Sequence, residues 1–509
     1  MSAEALLDRD FGTVSELVHE HALAQPAALA LIEDGRQLDY AGLDGCMDRV
    51  AVALQRDGLQ PGDVVAICAG SSIEYGVAFL GALRAGIAVA PLAPSSTPES
   101  LAAMIADCGA KVLFLDAAVA KELEPQRASI AATHVALMSW NDWLAPQGAQ
   151  PVPVAIDPDA AFNVIYSSGT TGTPKGIVQP HRMRWAHVRR GSDSGYGPSS
   201  VTILSTPLYS NTTLVSFFPS LALGGAVVLM AKFDALKYLK LAEQHRATHT
   251  MLVPVQYQRL MDSEGFERFD LSSFHMKFCT SAPFSAALKK RVLERWPGGL
   301  VEYYGMTEGG GTCVLQAHRF PDKLHTVGRP APGHDIRLID DDGHELPAGE
   351  AGEIVGRSPA MMNGYHNQPD KGRQAEWYDA SGQRFIRTGD VGRFDSDGFL
   401  MLLDRKKDMI ISGGFNIYPS DLEAVLAQHP AIDEATVVGV PSEQWGETPI
   451  AFVVLQRGST TTAEEIKSWF NQRIGKTQRL SAVELKDTLP RSAIGKVLKR
   501  ELRDAYLAR

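Results

Sequence analysis

Between Val64 and Gly305 the chain alternates short apolar runs of strand length with longer amphipathic segments of helical spacing. The short runs are rich in β-branched and aromatic residues, which is typical of buried strands. We predict strands at Val64–Cys68, Lys111–Leu115, Phe162–Tyr166, Val201–Leu204, Ala226–Met230, Thr250–Val253, Lys277–Cys279 and Val301–Tyr304, and helices at Ile73–Ala85, Ser100–Asp107, Ala235–His245 and Ala286–Trp296. This alternation predicts an α/β fold of layered, largely parallel sheets.

After about Gly333 the pattern changes to short strands and turns, which predicts a β subdomain that completes a large N-terminal domain. The polar run Leu403–Asp408 then separates two apolar stretches. Beyond it, the pairs Ser420/Glu423 and Thr462/Glu465 have capping-box spacing and predict two helices of a small α+β C-terminal domain. We therefore predict an N-terminal domain over 1–403, a boundary at 404–408 and a C-terminal domain over 409–509. A solvated charged turn is the alternative interpretation of the polar run.

Composition limits the function classes that the chain can serve. A net charge of -10 argues against a nucleic-acid partner, which usually requires a basic face. The five cysteines are far apart, without zinc or redox spacing, which favours a reducing, cytoplasmic location. We expect no signal sequence, because the acidic N-terminus lacks the required pattern, and no membrane span, because no apolar run approaches about 20 residues.

The segment Ser167–Gly176 follows an apolar run and reads Ser-Ser-Gly-Thr-Thr-Gly-Thr-Pro-Lys-Gly. Glycines allow backbone N–H groups to turn toward a phosphate, hydroxyls add donors, and Lys175 adds a mobile charge. The segment does not fit the Walker pattern, because Gly176 stands where Ser or Thr is required. By itself it predicts phosphate binding, and a plain Ser/Thr/Gly linker is the alternative.

This segment resembles the phosphate signature of the adenylating superfamily of acyl-CoA synthetases, luciferases and peptide-synthetase adenylation domains. Four further blocks match that family in order, and the resemblance covers essentially the whole chain. They are Thr280–Pro283, Tyr304–Glu308, Arg387–Asp390 and Pro490–Lys496. The resemblance implies that a carboxylic acid attacks the α-phosphate of ATP to give acyl-AMP and pyrophosphate. A thiol then displaces AMP.

The resemblance also implies residue roles. Lys496, Thr307, Glu308 and Lys175 would be catalytic, with Glu308 as the ligand of Mg²⁺, a cation that prefers oxygen. The implied ATP- and AMP-binding residues are Ser167, Ser168, Gly169, Thr170, Thr171, Gly172, Lys175, Ser281, Ala282, Pro283, Glu302, Tyr303, Tyr304, Gly305, Met306, Thr307, Asp390, Arg405 and Lys496. Without the family match, a Thr-Glu pair indicates a surface turn, Thr-Gly-Asp a β-turn, and a C-terminal lysine a solvated side chain.

In this family the small C-terminal domain is mobile and rotates between the two half-reactions. The resemblance therefore implies that 404–408 is a hinge, in which Lys407 matches the pivot position. Ser412, Gly413 and Gly414 would line the pantetheine tunnel, where glycine allows close approach. Trp445 would stack on the adenine of coenzyme A, although a single tryptophan is more often a core residue. Coenzyme A is therefore the predicted acceptor, with ATP and Mg²⁺ as the other requirements.

The predicted acid is mainly apolar and larger than propionate: a fatty, aryl or arylpropenoic acid. The acetate-activating branch has tryptophan where this chain has Gly305, and the aspartate that amino-acid-activating domains usually carry near Tyr209–Asn211 is absent. The predicted pocket residues are Tyr209, Asn211, Thr212, Val215, Gly305 and Gly309. The alternatives are an acyl-AMP ligase that loads a carrier protein and a non-catalytic adenylate-binding regulator. A homodimer is a further expectation.

Overall fold

The structure is a computed structural model that describes residues 2–167, 175–406, 408–412, 415–443, 445–475, 478–492 and 495–508. Up to residue 160 its elements are α1 Ala3–Leu7, α2 Val14–Ala24, β1 Leu29–Glu33, β2 Arg36–Asp39, α3 Tyr40–Arg56, β3 Val64–Cys68, α4 Ile73–Arg84, β4 Ala88–Pro91, α5 Pro98–Asp107, β5 Val112–Leu115, α6 Ala117–Leu123 and β6 Thr133–Ala136. From 161 to 330 they are β7 Ala161–Ser167, β8 Lys175–Pro180, α7 His181–Asp193, β9 Val201–Leu204, α8 Asn211–Ala222, β10 Ala226–Leu229, α9 Ala235–Gln244, β11 His249–Leu252, α10 Pro254–Met261, β12 Met276–Cys279, α11 Ala286–Arg295, β13 Gly299–Met306, β14 Gly309–Gln316 and β15 Arg329–Pro330.

The remaining elements are β16 Asp335–Ile339, β17 Gly352–Arg357, β18 Gly364–Tyr365, α12 Pro369–Gln374, β19 Glu376–Tyr378, β20 Arg384–Phe394, β21 Leu400–Arg405, β22 Ile410–Ser412, β23 Phe415–Ile417, α13 Pro419–Leu426, β24 Ile432–Ser442, β25 Gly446–Leu455, α14 Ala463–Asn471, β26 Ala482–Leu485 and α15 Lys499–Leu507. The chain divides into two compact units. Unit 1 comprises Met1–Asp335 and Arg357–Ile386, and unit 2 comprises Ile336–Gly356 and Arg387–Arg509. The functional boundary at 404–408 stays a prediction.

Unit 1 is built on two large sheets. Among the described residues, one has the strand order β15-β14-β13-β12-β11-β9-β10-β1-β2 and the other β18-β8-β7-β4-β3-β5-β6. The interior strands of both pair in parallel, and antiparallel pairing is confined to their ends, at β2, β14 and β15 in the first sheet and at β8 and β18 in the second. The predicted α/β class with largely parallel sheets is confirmed.

One apolar core joins the two sheets of unit 1. The helix α8 lies within it, and most of its residues are buried, including Phe217 and Phe218. The ring of Phe218 packs edge-on against Phe79 and Phe162, at centroid separations of 5.2 and 4.9 Å. Since α8 begins at Asn211, this packing holds three of the predicted pocket residues on a rigid element.

Unit 2 contains a small sheet in which β25 pairs with β22, β24 and β26, covered by α13, α14 and α15. Thr462 and Glu465 form the predicted capping box at the start of α14. The capping box predicted for Ser420 and Glu423 is wrong, because α13 begins at Pro419 and has no side-chain cap. In the part of the chain that the structure describes, no helix combines the length and the apolarity needed to cross a membrane.

Candidate active site

The Ser167–Gly176 segment joins two antiparallel strands of unit 1. Strand β7 ends at Ser167 and β8 begins at Lys175, and these two residues face each other in the register. Residues 168–174 lie outside the described part, and with them the predicted phosphate ligands Ser168, Gly169, Thr170, Thr171 and Gly172. The structure therefore places the two ends of the segment.

Lys175 and Glu308 are linked through Tyr365, which the sequence did not indicate. The Tyr365 hydroxyl donates a hydrogen bond of 2.8 Å to Glu308 Oε1, and Lys175 Nζ lies 5.1 Å from the centre of the Tyr365 ring. Burial, the charge of Glu308 and this hydrogen bond all raise the pKa of Tyr365, so the phenol stays protonated and donates.

Thr307 and Glu308 form the two-residue turn between β13 and β14. The side chain of Gln179 donates to the Thr307 carbonyl at 2.6 Å, and the Met362 N–H donates to the Glu308 carbonyl at 2.8 Å. Both carbonyls of the turn are therefore held from other elements, and this fixes the position of the Glu308 carboxylate.

Behind this turn lies Arg184 of α7, which is 1% exposed. Its guanidinium donates to Asn211 Oδ1 at 2.8 Å, to Asn163 Oδ1 at 3.2 Å and, through a short contact, to Gln179 Oε1. Burial lowers the pKa of Arg184 to about 9. Arg184 thus ties the first residue of α8 to the residue that holds Thr307, a link that the sequence did not reveal.

Ser281, a predicted nucleotide-binding residue, contacts a residue of the predicted acid pocket. Its φ of 80° lies in the left-handed region, which is costly for a residue other than glycine. Its hydroxyl is 2.5 Å from the hydroxyl of Thr212, a predicted pocket residue. Next to it, Thr280 donates to the carbonyl of Tyr303 at 2.8 Å. Strained backbone of this kind is characteristic of functional sites.

Strand β13 carries the block Glu302–Met306. The carboxylate of Glu302 is buried in an ion pair with Lys289, so its side chain is committed to the core. A Cβ on Gly305 would lie 3.3 Å from Thr312 Oγ1, and a Cβ on Gly309 would lie 2.0 Å from the carbonyl oxygen of Ala360. The φ of Gly309 is also 81°. Gly309 is therefore required by the backbone, whereas at Gly305 a side chain would press against Thr312, so glycine is needed for close packing there.

The other predicted pocket residues differ in their surroundings. Val215 is partly buried against the core of unit 1. Burial raises the pKa of the Tyr209 hydroxyl, which interacts with Ser95. The structure connects Asn211 to Thr307 through Arg184 and Gln179, and Thr212 contacts Ser281.

In unit 2, Asp390 of β20 and Arg405 of β21 face each other across an antiparallel pair. Arg405 Nε lies 3.3 Å from Asp390 Oδ1, and the Asp390 N–H donates to Thr388 Oγ1 at 3.0 Å. The structure thus brings these two predicted nucleotide ligands together. A carboxylate in this position can accept hydrogen bonds from a ribose diol.

Lys496 lies on a tight loop of unit 2. The Lys496 N–H donates to Ser492 Oγ at 3.2 Å, the Ser492 N–H donates back to the Lys496 carbonyl at 2.8 Å, and Gly495 has a φ of 80°. Arg491 donates to the Gly495 carbonyl at 2.6 Å and pairs with Glu434 of β24. The backbone at Lys496 is therefore anchored to the sheet of unit 2.

Two of the predicted coenzyme A residues line one cavity of unit 2, of about 300 Å³. Ser412 is buried at its wall, while Trp445 is 45% exposed, which contradicts a core role for this tryptophan. The cavity is also lined by Thr448, Asn471, Arg479, Leu480 and Ser481. The predicted tunnel residues Gly413 and Gly414 and the predicted pivot Lys407 lie outside the described residues.

Comparisons with known proteins agree with this geometry. The family model for AMP-binding enzymes matches residues 18–366, and the model for the AMP-binding enzyme C-terminal domain matches residues 421–496. The chain belongs to the AMP-binding enzymes. The predicted resemblance and the predicted class of AMP-forming ligase are thereby confirmed.

Individual relatives cover nearly the whole chain. It is 33% identical over 494 residues to feruloyl-CoA synthase from an Amycolatopsis species, covering 95% of this chain and 97% of the relative. It is 31% identical over 505 residues to the fatty acid–[acyl-carrier-protein] ligase ScoC from Streptomyces coeruleorubidus, covering 97% and 96%. ATP-bound MatB from Rhodopseudomonas palustris is similar in structure, with a TM-score of 0.88, 30% identity and coverage of 97% and 99%.

Proposed function

We propose that this AMP-binding enzyme is an acid–CoA ligase, which forms acyl-AMP and pyrophosphate from a carboxylic acid and ATP and then acyl-CoA and AMP. The observation that carries the proposal is the meeting of Lys175, Tyr365 and Glu308 at the end of the phosphate segment. It gathers one cation, one carboxylate and one phenol where the family match expects the triphosphate.

In the first half-reaction, the acid oxygen attacks the α-phosphate and pyrophosphate leaves. Thr307 and Lys175 would bind the phosphates, and Asp390 with Arg405 would hold the ribose. Lys496 would contact the acid carboxylate and the α-phosphate, where its positive charge stabilises the charge that builds up in the transition state. Most of the rate enhancement would come from this positioning and neutralisation.

The residues around Glu308 fit a magnesium ion. Tyr365 donates a hydrogen bond to Glu308 Oε1, and in the described part of the chain Glu308 Oε2 accepts no hydrogen bond. A carboxylate oxygen is a ligand that Mg²⁺ prefers. When bound, the ion would neutralise charge on the phosphate oxygens. Tyr365 would orient the carboxylate that holds it, as partners of metal ligands commonly do.

For the second half-reaction, the cavity beside Ser412 and Trp445 supports coenzyme A as the acceptor. The exposed indole offers a face for an adenine ring, and Arg479 at the same cavity offers a cation for phosphate. No cysteine of the enzyme is needed, because the reacting thiol belongs to the acceptor. All five cysteines are unpaired, which supports a reducing, cytoplasmic location.

The acid is proposed to be mainly apolar and larger than propionate. Gly305 places no side chain beside Thr312, where the acetate-activating branch has tryptophan, and α8 supplies Val215 as an apolar wall. The relative named feruloyl-CoA synthase supports an arylpropenoic acid, and the relative named as a fatty acid ligase supports an aliphatic one.

The experiment that tests the proposal separates the half-reactions. Lys496→Ala should slow pyrophosphate release by roughly 100- to 1,000-fold, the typical loss for one electrostatic group, while acyl-CoA formation from supplied acyl-AMP changes little. Lys467→Ala, which removes a surface lysine paired with Glu464 in the same unit, is the matched control and should leave both steps unchanged. Equal loss of both steps in Lys496→Ala would contradict the assignment.

Loading of a carrier protein is a second candidate, because ScoC is a carrier-protein ligase that matches this chain over almost its full length. The same assay distinguishes the two acceptors. With acyl-AMP preformed, AMP release that depends on free coenzyme A supports the first proposal. Release that depends on a holo carrier protein, without a response to coenzyme A, supports the second.

A further inference from the structure

Three basic residues follow one another at intervals of three along α7: Arg184, His187 and Arg190. At this spacing they lie along one side of the helix. Arg184 reaches Asn211, a predicted pocket residue, at 2.8 Å. The catalytic roles proposed above use none of the three, although buried cations are costly and are usually paired.

Arg190 is half-buried, and its guanidinium forms no ion pair or hydrogen bond in the described part of the chain. Burial lowers the pKa of Arg190, and the phenol of Tyr303 opposes this shift. A phenol is neutral near pH 7. Arg190 is therefore a cation withdrawn from water, with no anion beside it among the described residues.

Two histidines, His187 and His334, lie close enough to Arg190 for its charge to affect them. Burial, then the charges of Arg190, Arg184 and His334, lower the pKa of His187 well below its usual value. His187 Nδ1 is buried and has no hydrogen-bond partner among the residues that the structure describes. Burial, then the charge of Arg190, lowers the pKa of His334 to about 4. Both rings are therefore neutral at pH 7, and the charge resides on the arginines.

His334 also has a defined tautomer. Its Nδ1 accepts a hydrogen bond of 2.9 Å from the N–H of Thr312. Because a neutral imidazole carries one proton, Nε2 bears it and is a donor. Thr312 is also the residue whose hydroxyl lies 3.3 Å from the Cβ position of Gly305. The cluster of Arg190, His187 and His334 is thus connected through Thr312 to Gly305, a predicted pocket residue.

We propose that the acid carries a second anionic oxygen group, a carboxylate at the end remote from the reacting one, and that Arg190 binds it with help from the Nε2–H of His334. This proposal rests on the proposed function and names the substrate class of that site. An apolar body between the two carboxylates would contact Val215, which is partly buried against the core, and would place the second carboxylate at Arg190. The diacid would supply the anion that Arg190 lacks, and a guanidinium binds a carboxylate through paired N–H donors.

The test uses matched acids: cinnamate against 4-carboxycinnamate, and octanoate against octanedioate. With the native enzyme, kcat/KM for pyrophosphate release should be on the order of 10- to 100-fold higher for the diacid of each pair. Arg190→Met should abolish that preference while activity on the monoacids persists, and Arg190→Lys should restore part of it. The proposal would be overturned if the native enzyme had the same kcat/KM for the monoacid and the diacid of each pair. It would also be overturned if Arg190→Met lowered kcat/KM equally for both acids.

A binding measurement separates failure of this proposal from failure of the proposed function. The acyl sulfamates of adenosine made from each acid pair mimic the acyl-AMP and need no turnover. Calorimetry should show tighter binding of the diacid form to the native protein and no difference in Arg190→Met, even if no acid supports pyrophosphate release. The same affinity for both forms in the native protein would refute the second carboxylate. An unchanged melting temperature shows that Arg190→Met is folded.

Discussion

The Tyr365 hydroxyl donates its hydrogen bond to Glu308 Oε1 across 57 positions of sequence, at 2.8 Å. The bond connects the short strand β18 to the turn between β13 and β14. It therefore allows one side chain to orient the proposed magnesium ligand while its ring faces Lys175.

Tyr365→Phe should weaken the response to Mg²⁺ without unfolding the protein. The variant keeps the ring but leaves Glu308 free to rotate, and loss of such a partner typically costs about 10- to 100-fold in metal affinity. The measurement is the Mg²⁺ concentration for half-maximal pyrophosphate release. Tyr378→Phe is the matched control, because Tyr378 donates to Glu376 at 2.9 Å on the surface. An unchanged Mg²⁺ requirement in Tyr365→Phe would show that Tyr365 does not orient Glu308 for metal binding.

Gly305→Trp should change the acid that is accepted rather than the stability. The φ of Gly305 is not in the left-handed region, and the nearest atom to a new Cβ is Thr312 Oγ1 at 3.3 Å. The indole would displace Thr312 and occupy the predicted acid pocket, so kcat/KM for aryl acids should fall by on the order of 100-fold while acetate or propionate gains. A parallel loss for all acids would indicate a collapsed site instead.

Gly309→Ala should lower the stability of the protein rather than change which acid it accepts, the reverse of the result expected for Gly305→Trp. Its Cβ would lie 2.0 Å from the Ala360 carbonyl oxygen at a φ of 81°. A Cβ in that conformation with such a clash costs at least about 1–3 kcal/mol. The melting temperature measures the loss. A stable Gly309→Ala variant with altered acid preference would instead support the predicted pocket role of Gly309.

Asp390→Ala should raise the KM for ATP by roughly 10- to 100-fold, since a charged hydrogen-bond acceptor contributes about 1.5–3 kcal/mol. The KM for the acid should stay within a few-fold. Asp341→Ala serves as control, because Asp341 pairs with Lys406 at 2.7 Å in the same unit but has no proposed contact with the nucleotide. A similar rise in the KM for ATP in both variants would show that the effect is not specific to the ribose.

Stability should fall as the pH falls below about 6.5. Burial lowers the pKa of His181 and of His249 to about 4 in the folded protein. Between that value and the usual 6.5, the unfolded chain binds protons that the folded chain does not, so acid favours unfolding. Each histidine contributes about 1 kcal/mol between about pH 7 and about pH 5.5.

The check is the urea midpoint at the two pH values. His181→Gln should show a smaller shift than the native protein. His344→Gln, at a surface histidine whose side chain is 79% exposed, should show the native shift. A native midpoint independent of pH would contradict the assignment.

The sequence predicted the regular elements well where local pattern decides them. Val64–Cys68 and Val201–Leu204 match the observed strands at both ends, and each buried run begins directly after a polar residue, Asp63 or Ser200. The helix at Thr462 begins as predicted, since both partners of its box are local. At Ser420 the box fails because tertiary partners take both side chains. Ser420 donates to the Leu403 carbonyl, and Glu423 accepts from Thr436.

The site itself was predictable only as separate blocks. The family match named Lys175, Glu308 and Asp390, but no sequence spacing indicates that Tyr365 bonds Glu308 or that Arg184 bonds Asn211. These contacts join elements that the fold alone brings together. Arg190 gave no signal either, because a helical arginine in a sequence is normally solvated, and its isolation depends on burial against β13.

Strand β20 has a consequence for how the chain is made. Its residues up to Ile386 belong to unit 1, and those from Arg387 belong to unit 2 together with the earlier segment Ile336–Gly356. During synthesis, at about 5–20 residues per second, β16 and its partner β17 leave the ribosome seconds before β20, the strand that pairs with the other edge of β17. The edge of β17 therefore stays unpaired until β20 has been synthesised. Slow translation between 357 and 394 would extend the interval in which aggregation competes with folding.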